Sequence, residues 1–172
     1  QSRRARRVAK AAGIELEKDS LGEWVTSDGG GVIWTSIGGA ITGDPISGVA
    51  IVDDPFKNRK EAESQTVREN AVDFYEDDWM SRIHPGVSEI LINTRWHVSD
   101  LTGVRLEKEG LVEDGGKWTV CNLPAIFTDE NGIERALWPE GRPLEWLHKR
   151  RASVTEYAWW SMYMGEPRPR GS

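Results

Sequence analysis

The sequence has very little of what disulfide-rich, metal-binding or membrane proteins contain. Its single cysteine, Cys121, excludes an internal disulfide, and we expect it to be a small core residue within a strand. The three histidines show no metal-ligand spacing. No apolar stretch approaches the roughly 20 residues of a membrane-spanning helix, so we expect no membrane partner. The phosphate-cradling pattern G-x-x-x-x-G-K-[ST] is also absent.

The charge of the chain is negative but unevenly distributed. A formal net charge of −6 argues against a surface that coats nucleic acid. Basic side chains crowd the first predicted helix, Ser2 to Ala12, where solvent exposure is favoured over contact with DNA. At 172 residues the chain is about one domain long. It opens on Gln1 rather than Met, so we expect its natural start to lie upstream.

Apolar runs that alternate with amphipathic segments favour an α/β fold, with a largely parallel sheet flanked by helices. The runs "GVAIVDD" and "SEILINT" are continuous enough to predict parallel strands that are buried on both faces. The stretch "KWTVCNLPAI" predicts a third strand, and the glycines from Gly29 to Gly31 predict a hairpin. Further helices are predicted from Arg59 to Ile83, from Ser99 (as N-cap) to Glu109, from Pro143, and after a capping box of Ser153 and Glu156.

Two adjacent carboxylates, Asp53 and Asp54, end the first of these apolar strands, directly before Pro55. Open α/β sheets hold ligands beyond the carboxyl ends of their strands, where Thr94 and Arg95 end the second strand. Two acids in this position are typical of the Walker B motif of nucleotide hydrolases, in which the first helps to hold Mg²⁺ and the second polarises the attacking water. A hydroxyl and a guanidinium beside them have the chemistry to read a terminal phosphate. The alternative is that both acids merely cap the next turn.

Two other functions remain open from the residues alone. A metal-dependent nuclease would use Asp53 and Asp54 with a third acid, either Asp73 or Asp100, because two metals held by carboxylates also catalyse phosphodiester cleavage. A non-catalytic interaction module would instead dock a neighbouring domain or subunit through the Trp-rich C-terminal helix.

Six segments of the chain form an ordered set of motifs. They are "SIGGAITGDPISGVAIVDDPFKN", "AVDFYEDDW", "ILINTRWHVSDLTG", "LPAI", "ALWPE" and "YMGEPRPRG". Taken in order, they resemble the large terminase subunit of tailed bacteriophages, the motor that packs DNA into the prohead. The match runs from about Trp24 onward. That family combines an N-terminal ATPase of the additional-strand, catalytic-carboxylate P-loop class with a C-terminal RNase H-like nuclease.

The resemblance implies a role for each polar residue at the two strand ends. Asp53 matches the Walker B carboxylate that holds Mg²⁺. Asp54 matches the catalytic acid, which is Glu in many relatives. Thr94 and Arg95 match the motif that couples ATP hydrolysis to movement.

The resemblance also implies a P-loop fold that is incomplete at its N-terminus, because the Walker A loop precedes Walker B in these motors. Residues 1–165 would be the later part of the ATPase domain, and residues 166–172 a linker toward a nuclease domain. The chain alone is then expected to bind ATP poorly and to be inactive. The implied partners are double-stranded DNA, the portal protein, the small terminase subunit and other large terminase subunits. The implied location is the host cytoplasm during virion assembly, or the cytoplasm of a host that carries the prophage.

Overall fold

The chain divides after residue 43 into two units. The structure, a computed structural model, describes residues 2–20, 22–39, 41 and 45–169. Across these ranges no helix is both long and apolar enough to cross a lipid bilayer.

The first unit contains a short helix and an antiparallel sheet. Helix α1, Ser2–Ala11, is followed by Gly13, whose φ of +71° lies in the left-handed region that glycine adopts without strain. The sheet has the order β1 (Leu16–Asp19), β2 (Glu23–Thr26) and β3 (Gly31–Ile33). The antiparallel pairing of β2 with β3 across the glycine turn confirms the predicted hairpin.

The second unit begins with the two strands that the sequence predicts to be parallel. Strand β4 is Val49–Asp53 and strand β5 is Ser88–Ile92, and the two pair in parallel within one sheet. Asp53 lies opposite Ile92, so both strands end at the same edge. The prediction that the two apolar runs end side by side is confirmed.

One face of this parallel pair is bare, which differs from the predicted burial on both faces. The side chains on that face are more than two-fifths exposed: Val49 (54 %), Ile51 (50 %), Ile90 (42 %) and Ile92 (52 %). The opposite face packs on the helices through Val52 and Leu91. The apolar runs are long enough for two buried faces, but the described residues supply helices on one side of the sheet only.

The long helix predicted from Arg59 to Ile83 is wrong, because the helix breaks at Ser64. Ser64 has extended backbone angles, and its hydroxyl accepts a hydrogen bond from the Val67 amide at 3.4 Å. A serine that bonds the backbone in this way ends one helix and starts the next. The segment forms α2 (Arg59–Glu63), α3 (Gln65–Asp73), a π-helical stretch (Phe74–Trp79) and a 3₁₀ turn (Met80–Arg82).

Helix α4 spans Leu101–Glu109 and packs on the same core. Its N-cap is Asp100, whose carboxylate accepts the Gly103 amide at 2.9 Å, so the prediction of Ser99 as N-cap is off by one residue. The buried side chains of this core are Phe56, Ala62, Ala71, Tyr75 and Leu101.

The predicted third parallel strand is wrong, and the sheet is therefore not largely parallel. Most of "KWTVCNLPAI" is irregular. Pro124 has no amide hydrogen to donate to a neighbouring strand, and the Asn122 side chain donates a hydrogen bond to the Met164 carbonyl. Cys121 is exposed rather than buried in a strand. The segment ends in an antiparallel hairpin of β6 (Ile126–Thr128) and β7 (Glu134–Ala136). The described fold is thus mixed α/β with three small sheets, of which one is parallel.

Two helices complete the second unit and pack on the β6–β7 hairpin. Helix α5 is Leu144–Ser153, with Pro143 at its N-cap position, and helix α6 is Glu156–Met162. Thr155 caps α6 through its hydroxyl, so the predicted capping box of Ser153 and Glu156 is wrong. The buried residues of this core are Ile126, Ala136, Leu147 and Trp159. The predicted linker starts in irregular structure, and its residues 170–172 lie outside the described residues.

Candidate active site

The two predicted acids and Thr94 meet at the carboxyl edge of β4 and β5. The Asp54 amide donates to the Ile92 carbonyl at 2.8 Å, which extends the pairing one residue beyond the strands. The Asp54 carboxylate accepts the Thr94 amide through Oδ1 at 3.1 Å. Asp53 is exposed, and strand alternation places it on the same side as the bare face. The Asp54 carboxylate therefore lies beside the Thr94 backbone, and Asp53 ends β4 at the same edge, where a ligand of the sheet would approach.

The backbone at Asp54 is unusual. Its φ of +42° is positive, and it is the one non-glycine residue of the described chain with this property. A left-handed conformation is unfavourable for an L-residue, although Asp tolerates it better than most, and such residues cluster at functional sites. Asp54 is held in place by the hydrogen bond that its amide donates to the Ile92 carbonyl and by the one that its carboxylate accepts from the Thr94 amide.

The Arg95 side chain is anchored by Asp100, which the nuclease alternative assigns to metal binding. Its Nε lies 3.0 Å from both carboxylate oxygens of Asp100, which is 0 % exposed. Its two Nη groups have no hydrogen-bond partner among the described residues, so they remain available to an anionic ligand. The position of Asp100 just before a helix was the available signal for its capping role, but nothing in the sequence pairs it with Arg95.

The segment after Arg95 is tied to the C-terminal helix α6. The Tyr157 hydroxyl donates to the Trp96 carbonyl at 2.5 Å, and the Arg59 guanidinium lies 4.9 Å from the centre of the Tyr157 ring. Tyr157 therefore contacts both the loop after β5 and the start of α2. Sequence reasoning missed this residue, because no pattern links positions that lie 61 residues apart.

His97 in this segment is neutral at neutral pH. Burial, and then the positive charge of Arg68, lowers the pKa of His97 below its ordinary value of 6.5. Its Nδ1 accepts the Ser99 amide at 3.0 Å, which fixes the ring. The ring is thus a structural acceptor in the turn that leads into α4.

A second polar cluster holds β5 against the helices behind the site. The Tyr75 hydroxyl donates to Glu89 of β5 at 2.5 Å, and Lys117 also pairs with that carboxylate. Burial, followed by the hydrogen bond to Glu89, raises the pKa of Tyr75 well above its ordinary value of 10.0. Arg105 stacks on Tyr75 and pairs with the carboxylate of Glu109. This cluster fixes the strand whose end carries Thr94.

The residues at the strand ends are compatible with Mg²⁺ only together with a ligand. No group of three or more His, Cys, Asp or Glu side chains converges as a metal centre among the described residues. Asp53 and Asp54 supply two carboxylates, and Mg²⁺ usually binds through one or two carboxylates plus substrate phosphates and water. The donor set therefore fits a Mg²⁺ ion whose other ligands come from a bound phosphate and water, and it is too small to hold the ion tightly alone.

No protein-family model, curated protein or solved structure matches this chain.

Proposed function

We propose that this chain is part of the ATP-hydrolysing domain of a large terminase, the motor that packs DNA into the heads of tailed bacteriophages. The observation that carries the proposal is the meeting of Asp53, Asp54 and Thr94 at one edge of two parallel strands. Open α/β sheets hold their ligands at this edge. The order of the six sequence motifs supports the choice of family, and the strand geometry supports the chemistry.

The two acids have separate roles in this proposal. Asp53 is exposed and holds the metal jointly with phosphate oxygens. Asp54 has its Oδ1 fixed by the Thr94 amide, and its Oδ2 accepts the hydrogen bond of the attacking water. When bound, Mg²⁺ neutralises the charge that develops on the phosphate oxygens.

Thr94 and Arg95 contact the terminal phosphate. When that phosphate is released, the change in their position is transmitted to the rest of the domain. Asp100 fixes the Arg95 side chain through its Nε, so less of that side chain has to be ordered when an anionic ligand binds. The neighbouring Trp96 carbonyl is bound by Tyr157 of helix α6. A shift of this segment would therefore reach α6 directly, as a motif that couples hydrolysis to movement requires.

The bare face of the parallel pair supports the finer fold assignment, a P-loop ATPase of the additional-strand, catalytic-carboxylate class. Parallel sheets are normally covered on both faces, yet Ile51 and Ile90 are about half exposed. We assign this face to the element that carries the phosphate-cradling loop. Asp53 lies at the end of the same face. A loop packed there would therefore place phosphates beside the Mg²⁺ ion that the Asp53 carboxylate would hold.

The nuclease alternative has less support in the geometry. Asp100 is fully buried, and both of its oxygens are bound by Arg95. It is thus a structural anion rather than a third ligand beside Asp53 and Asp54. The interaction-module alternative depends on the Trp-rich C-terminal helix α6, and Trp159 of that helix is 1 % exposed and packs in the chain's own core.

We also propose the domain to which the chain belongs, its partners and its location in the cell. Residues 1–165 belong to the ATPase domain and residues 166–172 lead toward a nuclease domain. The partners are double-stranded DNA, the portal, the small terminase subunit and further large subunits, within the host cytoplasm.

Calorimetric titration of the chain with Mg-ATP tests the proposal directly. We expect weak binding or none, because the phosphate-cradling loop is not in this sequence. In the natural polypeptide that carries the chain, Asp53→Ala should abolish Mg²⁺-dependent ATP turnover. Asp77→Asn, which neutralises an exposed helical carboxylate, is the matched control and should have no effect. Micromolar binding by the chain alone that Asp53→Ala removes would show that a complete site exists here.

A further inference from the structure

Helix α5 and the two residues before it are basic within an acidic protein. Residues 142–151 contain four Lys or Arg residues and one carboxylate, Glu145, whereas the whole chain carries a net charge of −6. The helix lies far along the chain from Asp53 and Asp54 and has no part in the proposed hydrolysis. Such a local excess of positive charge in an acidic chain indicates a site for an anionic partner.

Two of these cations are held in place by aromatic side chains on one side of the helix. The Arg142 guanidinium lies 5.6 Å from the centre of the Trp146 ring. Arg150 follows Trp146 by one helical turn and is therefore its neighbour on the helix surface. The Arg150 Nε donates to the Tyr163 hydroxyl at 2.8 Å, and Tyr163 is stacked on the buried Trp159. Both guanidinium groups thus have an aromatic partner within the chain itself.

These two cations also differ from their neighbours in having no counter-ion. Lys149 pairs with Glu145 at 2.7 Å, and Arg151 lies 3.9 Å from a Glu156 oxygen. By contrast, no carboxylate of the described residues lies within 4.0 Å of the side chains of Arg142 or Arg150. Trp146 between them is 43 % exposed. The stripe therefore presents two cations and a partly exposed indole to solvent, and Arg142 lies over only one of the two faces of that indole.

We propose that the stripe of Arg142, Trp146 and Arg150 binds a single nucleic-acid strand. The two guanidinium groups contact successive regions of the sugar–phosphate backbone, and an unpaired base stacks on the Trp146 indole. A duplex or an acidic peptide would engage the two cations but offer no free base to the indole. Unpaired nucleic acid is the partner that uses every exposed group of the stripe. The inference goes beyond the proposed ATPase and does not require it.

Fluorescence anisotropy with a labelled oligothymidine of about a dozen nucleotides tests the inference, at several salt concentrations and beside a duplex of equal length. Arg142→Gln with Arg150→Gln should weaken oligothymidine binding about tenfold or more at low salt and flatten the log–log salt slope by about 1.4, or roughly 0.7 per phosphate contact. Trp146→Ala should weaken it at least about fivefold, the low end of base stacking on aromatic rings.

Lys149→Gln is the matched control, since it removes one charge from the same helix at a cation that Glu145 already neutralises. It should change the affinity less than twofold, and circular dichroism melting checks that each variant remains folded. Absent binding by the wild type, or equal losses in the control and the double variant, would overturn the inference. Duplex binding as tight as that of the single strand and insensitive to Trp146→Ala would overturn it as well. Asp54→Asn should leave oligothymidine binding intact, so failure of the ATPase proposal is distinguishable.

Discussion

Replacement of Asp100 tests how the protein holds Arg95 at the candidate site. The Asp100 carboxylate accepts hydrogen bonds from Arg95 and from the Gly103 amide. Asp100→Ala removes the N-cap of α4, a loss of about 1 kcal/mol. It also leaves a guanidinium that is only 19 % exposed without its partner. That loss is about 2 kcal/mol, between the values for surface and buried pairs. We expect the free energy of unfolding to fall by about 3 kcal/mol in total.

Asp100→Asn separates the two contributions. Asn caps helices as well as Asp does, so this variant keeps the bond to the Gly103 amide, while it loses the charge that pairs with Arg95 and replaces the second acceptor of Arg95 Nε by an NH₂ donor. Its expected loss is about 2 kcal/mol. Urea unfolding followed by tryptophan fluorescence measures both variants. With a slope of about 2 kcal/mol per molar, the midpoint should fall by roughly 1.5 M for Ala and 1 M for Asn.

Asp114→Ala serves as the control, because it removes an exposed carboxylate from the same unit. It should change the stability by less than about 0.5 kcal/mol. The reasoning is refuted if the midpoint of Asp100→Ala matches that of the control. Equal losses in Asp100→Ala and Asp100→Asn would show instead that the helix cap contributes nothing.

Three further predictions concern the backbone and the buried phenol. Gly103→Ala should destabilise the protein by about 2 kcal/mol or more, because a Cβ would overlap the Val98 carbonyl oxygen. Alanine is the better helix former, so a variant that is more stable than the wild type in urea would contradict this prediction. Asp54→Gly should be more stable than Asp54→Ala by about 1 kcal/mol, since glycine accepts the positive φ; equal midpoints would show that the backbone there is unstrained. The Tyr75 phenol keeps its proton when folded and ionises above pH 10 when unfolded, so stability should fall above that pH by up to about 1.4 kcal/mol per unit. In Tyr75→Phe that share of the alkaline loss should be absent; identical slopes between pH 10 and 11 would contradict the assignment.

The sequence was sufficient to predict that the two strands end side by side. Continuous apolar runs before Asp53 and Thr94 indicate parallel strands, and parallel strands of one sheet end at the same edge. What the runs do not reveal is which of their faces is covered. The apolar residues at Ile51 and Ile90 have the composition of buried positions, but burial depends on elements that pack from elsewhere.

Helix boundaries were less accessible because they depend on single hydrogen bonds. The helical spacing of apolar residues continues across Ser64, yet its hydroxyl caps a new helix and divides the segment. Ser99, Ser153 and Thr155 are all plausible caps by residue type, and only the fold selects among them.

The contacts of Arg95 could not be predicted from the sequence for a different reason. A guanidinium at a strand end indicates anion binding in general, and Asp100 five residues later was equally open to metal binding. The backbone turn between them brings the two side chains together. Tyr157 lies still further along the chain, and its bond to the Trp96 carbonyl depends on the packing of α6.

Single-turnover ATP hydrolysis by the Asp54→Asn variant tests the central claim most directly, in a polypeptide that joins this chain to a phosphate-cradling loop as proposed above. Asn keeps an oxygen that accepts the Thr94 amide and tolerates the positive φ of Asp54, so the fold and the nucleotide affinity should be retained. Only the group that we propose to polarise the attacking water is lost, and we expect turnover to fall to background at unchanged Mg-ATP affinity. Turnover near the wild-type rate, or loss of nucleotide binding in parallel with turnover, would contradict the assignment of Asp54 as the catalytic acid.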